Sequence, residues 1–252
     1  MSASTLSRSL QPLAASLWGA FVAWSILLGA VWVGRVDDAW LVNNVAHSDL
    51  RLAGAALIYS VVPAWLALAA VNMHLAIARE EGLRAARRWL FTTLLAALVL
   101  GMAARRFGIP FGAFDFKDSL GPRLLGVPIG WLLLWYVLVA GARDLVLWLQ
   151  PRMGHAPTAI AGAALVVGSL AILQPLVVSG REGFRFWVFG TLAEPGPVPW
   201  YAPVVALAFA GGLGWMMREM QAPIGRSRRA AEAWLVWTGL AAAVYLRGWV
   251  WG

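Results

Sequence analysis

Long apolar runs separated by short, arginine-bearing stretches dominate this chain. Seven runs approach or exceed the roughly 20 mostly apolar residues that a membrane-spanning helix needs: 13–34, 52–77, 89–104, 124–142, 157–178, 198–217 and 233–252. The third is short, and the seventh contains Arg247. Pro63 inside the second predicts a kink, and Gly211, Gly212 and Gly214 in the sixth predict close helix contact. The expected fold class is all-α: a polytopic transmembrane helix bundle of about seven spans. It forms a single integral membrane domain over 1–252, without repeats or a soluble domain. Residues 1–11 lead into the first run without a convincing cleavage site, so an uncleaved first helix is expected.

One segment breaks this pattern. Residues 105–128 contain Gly108, Gly112, Gly121 and Gly126, the prolines Pro110, Pro122 and Pro128, the only lysine (Lys117), and the carboxylates Asp115 and Asp118. Glycine and proline here point to irregular backbone and fixed turns. Phe107, Ile109, Phe111, Phe114 and Phe116 are threaded through the segment. A plain surface loop has little reason to be so apolar. The segment is therefore expected to be ordered, to lie in the interface or fold back on the bundle, and to turn Asp115 and Asp118 toward a cavity.

Composition sharpens the class. The chain is 61% hydrophobic and 13% charged, whereas a soluble domain runs near ~45–50% apolar and ~25% charged. The absence of cysteine excludes disulfides and thiolate chemistry. The net charge of +8 does not indicate nucleic acid, because the arginines sit mostly between apolar runs, where they serve topology and lipid headgroups. Arg8, Arg79, Arg84, Arg87, Arg88, Arg143, Arg152, Arg218, Arg226, Arg228 and Arg229 fall on one side; nine cations fall on the other, four of them in 105–123. Setting those four aside places the N-terminus in the cytoplasm, in a bacterial-type inner membrane.

Sixteen tryptophans stand out. Trp32, Trp40, Trp89, Trp200, Trp249 and Trp251 fall at predicted span ends, as an aromatic belt does. Trp24, Trp65, Trp131 and Trp135 fall deeper. Trp131 and Trp135 share a helix face beside Tyr136 and either pack or line a groove. Asn72 and His74, and His47 with Asp49, lack partners at ligand spacing, so no metal is expected. No nucleophile elbow, P-loop or dinucleotide fingerprint is present, and no cofactor is expected.

The stretch from Gly108 to Pro128, followed by Trp131 and an apolar helix, resembles an integral-membrane family of carotenoid biosynthesis. That family includes bisanhydrobacterioruberin hydratases and γ-carotene 1′-hydroxylases. The likeness covers about 108–136 and extends loosely to Gln174-Pro175, Phe186-Trp187 and Pro199-Trp200. It implies addition of water to the C1–C2 double bond of an acyclic carotenoid end, by a proton donor and without a cofactor. Asp115 and Asp118 are the candidate catalytic acids. Pro110, Phe111, Gly112, Phe114, Phe116, Trp131, Trp135, Tyr136, Trp187 and Trp200 are the candidate substrate-binding residues. The implied partners are a carotenoid or other polyene lipid and the membrane lipids. The chain departs from the family pattern at Phe114 and Phe116, where tyrosine is usual, near Gly101 and Met102, where an acid is usual, and at Gln174-Pro175, where Asp-Pro is usual. Each change removes a hydroxyl or a carboxylate. These departures open a second reading, a non-catalytic subunit holding pigment or lipid within a membrane-protein complex.

Overall fold

The computed structural model describes residues 3–34, 38–112, 114–117, 120–178, 187–189, 196, 198–216, 232, 235, 236 and 239. Helices dominate: α1 (Ala3–Gly34), α2 (Asp38–Asn44), α3 (Ser48–Glu80), α4 (Leu83–Phe107), α5 (Ile129–Leu149), α6 (His155–Val178) and α7 (Ala202–Met216). Four stretches are long and apolar enough to cross a membrane: Pro12–Val31, Ser48–Glu80, Leu83–Phe107 and Ile129–Leu149. His155–Leu170 and Ala202–Met216 are shorter apolar helical stretches. Most of the seventh expected span, 233–252, lies outside the described residues, as do Trp249 and Trp251.

α5 is the central element. It packs on α3, α4 and α6, while α1 packs on α3 and α7 on α6. Its sequence is apolar on every side, as a helix enclosed by neighbours must be, and 17 of its residues are buried. Lipid-facing α4 instead leaves Phe91, Leu95 and Val99 exposed in one row. The seam between α1 and α3 is polar. Trp24 Nε1 donates to the Val61 carbonyl (2.8 Å), Trp65 Nε1 to Ser25 Oγ (2.7 Å), and Asn72 Nδ2 to the Leu17 carbonyl (3.0 Å). Such side-chain bonds hold helices together where lipid removes the hydrophobic incentive. Two of the three α7 glycines make the expected close contact: Gly214 approaches Ala159 on α6, and Gly211 approaches Ala163, whereas Gly212 has no neighbour within 4 Å of where a Cβ would stand.

The third and fourth spans differ from the sequence reading. The third span is a full 25-residue helix. The fourth begins at Ile129 and runs to Leu149, so Arg143 is not a loop cation. It is buried within α5, which removes it from the loop-charge bias. In the sequence the apolar run breaks at Ala142 because Arg143 and Asp144 follow, but Arg143 is buried in the bundle between Asp144 and Glu81. Pro63 lies within α3 without ending it.

Candidate functional site

Residues 108–128 fold back on the bundle. Strand β1 (Phe114–Phe116) pairs antiparallel with β4 (Trp187–Phe189), with Phe114 opposite Phe189, Asp115 opposite Val188 and Phe116 opposite Trp187. β2 (Arg123–Leu124) and β3 (Val127–Pro128) form a tight hairpin. Its turn residues Leu125 and Gly126 both have positive φ, at 52° and 86°. That is the geometry of a two-residue hairpin turn whose twist suits the strands. Leu120 is fully buried, and Gly121 lies against Pro63 of α3. Arg123 Nη2 donates to the Phe116 carbonyl (2.7 Å), and Arg105 Nη1 to the Gly126 carbonyl (3.3 Å). A segment with these buried contacts is part of the bundle. Phe107 and Ile109 are exceptions: both face outward.

Strand alternation sends Phe114 and Phe116 into the bundle and Asp115 to the other face. The two rings meet edge to face (5.0 Å between centroids), and both meet Trp131 on α5 (5.8 and 5.2 Å). Phe111 touches Phe114 (5.5 Å), Trp131 touches Trp135 (5.6 Å), and Trp135 touches Phe209 of α7 (4.7 Å). Edge-to-face contacts of this kind each add ~0.5–1.5 kcal/mol beyond area burial. The result is a continuous aromatic column from β1 down α5 to α7. Trp131 Nε1 is satisfied by the Ala97 carbonyl (3.2 Å). Tyr136, next in sequence to Trp135, is fully buried, and its hydroxyl has no hydrogen-bond partner.

The candidate residues thus divide. Phe111, Phe114, Phe116, Trp131 and Trp135 come together, and Gly112 sits beside the Tyr201 hydroxyl. Pro110 precedes them in the turn. Trp187 joins through its backbone. Trp200 does not join: it is 85% exposed and stacks edge-on against Tyr201. Asp115 Oδ1 accepts the Phe116 amide (2.8 Å) and lies 3.6 Å from Arg105 Nε on α4, with the carboxylate side chain 30% exposed. Asp118 lies outside the described residues.

A second polar cluster occupies the opposite end of the bundle. Arg143 on α5 lies between two carboxylates. Its Nη2 bonds Glu81 Oε1, its Nη1 lies 3.4 Å from Glu81 Oε2, and its Nε and Nη2 lie 2.7 and 2.6 Å from Asp144 Oδ1. Its guanidinium stacks over Trp89 of α4, 4.8 Å from the ring centroid. Trp89 is therefore a core residue, fully buried, and not part of an interfacial belt. A small cleft reaches this cluster between α5, α6 and α7, with Arg143, His155 and Thr158 among its polar walls and Val139, Ala163 and Ala210 among its apolar ones. Sequence reasoning missed this site. The available signal was an Arg-Asp pair followed by five residues, 145–149, that are all apolar.

A bundle of apolar helices, closed at one end by a two-stranded ribbon over an aromatic column, defines a polytopic integral membrane protein. Residues 59–245 match the family of carotenoid biosynthesis proteins, and the chain belongs to that family. The match takes in α4 to α7, both strand pairs and all but the first turns of α3. Searches of curated proteins and of solved structures return no match.

Proposed function

We propose that this protein hydrates the end of an acyclic carotenoid within the bilayer. The observation that carries the reading is the β1–β4 ribbon. It joins two stretches of the family match, 114–116 and 187–189, that lie about seventy residues apart, and sets them on the aromatic column. In the proposed reaction a carboxylic acid protonates C2 of the terminal double bond, leaving a tertiary cation at C1. Water then forms the C–O bond and returns a proton to the carboxylate, so the net change is addition of one water. Aromatic faces stabilise such a cation; Phe114, Phe116 and Trp131 supply them. Asp115 and Asp118 are the acids, being the carboxylates of that segment.

The second reading is a non-catalytic subunit that binds a polyene pigment. Two features favour it: the rings of the column fill one another's space, and Asp115 faces Arg105 across the ribbon from them. Cells supplied with acyclic carotenoids and expressing the protein separate the two. The hydratase reading expects a tertiary alcohol from wild type. It also expects a ~10²–10⁴-fold loss in Asp115→Asn or Asp118→Asn, the usual contribution of general acid catalysis. No alcohol from correctly inserted wild type removes the hydratase reading, and co-purifying pigment then supports the subunit. Full activity in both variants keeps the reaction and discards the acids.

A further inference from the structure

Two donors at the far end of the bundle lack an acceptor among the described residues. Trp89 on α4 is fully buried, and its Nε1 has no hydrogen-bond partner. Arg143, stacked over the same ring, carries five N–H groups. Nε points to Asp144, Nη2 serves both Asp144 and Glu81, and one proton of Nη1 serves Glu81. The second Nη1 proton is left over. Buried donors left without an acceptor are costly, and each calls for a partner. Both side chains line the cleft between α5, α6 and α7. Thr158 of α6, itself 3% exposed, lines it too. Its hydroxyl donates to the Gly154 carbonyl (2.9 Å), which leaves the oxygen's lone pairs able to accept.

The cleft is slim. A Cβ on Gly162 would stand 3.6 Å from the Arg143 backbone nitrogen, and one on Gly214 would stand 3.2 Å from the Ala159 Cβ. Helices this close leave room for a water and little more. An anion gains no net charge there, because two carboxylates already match the guanidinium. We propose that the cleft is a water-binding site. One water accepts from Trp89 Nε1 and from the remaining Nη1 proton of Arg143, and donates to Thr158 Oγ1. That is the usual number of partners for a buried water. His155, exposed at the start of α6, stands at the surface end of the cleft. Val139 and Ala210, deeper in its wall, lie one helical turn from Trp135 and next to Phe209, the foot of the aromatic column. The site therefore admits water from the membrane surface toward the column, and it does not depend on the hydration reading.

X-ray radiolytic footprinting of the full-length protein in lipid nanodiscs tests it, because a bound water yields hydroxyl radical where it sits and oxidises the side chain beside it. Trp89 is expected to oxidise several-fold faster than Trp65, which is equally buried but donates to Ser25 Oγ. That comparison needs no variant to fold. Thr158→Val should cut Trp89 oxidation several-fold, and Thr158→Ser, which keeps the oxygen, should retain it. Trp89 as protected as Trp65 overturns the site. Oxidation unchanged in Thr158→Val, or lost equally in Thr158→Ser, overturns Thr158 as the acceptor.

Discussion

Gly101 on α4 lies directly against Trp131 on α5. A Cβ at position 101 would stand 3.1 Å from the indole Nε1 and 2.8 Å from Cγ1 of Val127. The missing side chain is what lets α4 approach the top of the aromatic column closely enough for the Ala97 carbonyl to accept the indole N–H. An acidic side chain here would claim the volume that Trp131 and Val127 occupy.

Filling that space should displace the indole. Gly101→Leu is expected to cost about 1–3 kcal/mol, the usual range for overpacking, and to lower the melting temperature in mild detergent. A melting curve and tryptophan emission identical to wild type would show that Trp131 is not held by this contact.

Gly130 is a stricter case. A Cβ there would lie 2.5 Å from the Leu120 carbonyl oxygen, which is backbone and cannot rotate away as a side chain can. Gly130→Ala is therefore expected to lose more stability than Gly101→Ala, by over 1 kcal/mol on the same scale. Paired thermal melts rank the two, and the reverse order would refute the packing of Leu120 under the start of α5.

Arg143→Leu removes the one cation between Glu81 and Asp144. Breaking a buried pair from one side typically costs ~3–5 kcal/mol, so the variant should accumulate poorly in membranes and melt far below wild type. The triple replacement Glu81→Gln, Arg143→Leu, Asp144→Asn removes all the charges together and should recover much of that loss. A single variant as stable as wild type would mean the triad is not buried as described.

Sidedness can be read directly, because the chain has no cysteine. A single cysteine at Leu125, exposed in the β2–β3 turn, and another at Arg152, exposed between α5 and α6, lie at opposite ends of α5. With the N-terminus in the cytoplasm, an impermeant maleimide added to intact cells should label the first and spare the second. The opposite pattern would invert the topology, and equal labelling would contradict a spanning α5.

Much of this architecture is legible in the sequence because a bilayer leaves few options. Long apolar runs become helices since no other open structure satisfies its own backbone there. The burial of Phe111, Phe114 and Phe116 follows from the cost of leaving such rings in water. What escaped was pairing at a distance. The sequence gives no sign that Phe116 opposes Trp187, since strands of three residues show no clear alternation. Arg143 misled the boundary of α5 for a related reason: its partner Glu81 is 62 residues away, so a charge that is neutral in three dimensions looks like a loop in one. Trp89 lies at a span end by position, yet it is packed into the core with the Arg143 guanidinium over its ring. Trp200 went the other way, picked for a groove and found exposed.

The β1–β4 ribbon also fixes when the site comes into being. β1 is made early, as the chain leaves α4, yet its partner edge is not synthesised until residue 189 has followed two further helices. Until then the strand waits with one edge unpaired at the membrane surface. Biogenesis therefore has a late checkpoint: a nascent chain halted before Trp187 holds helices α1 to α6 but not the paired ribbon that joins its two family segments.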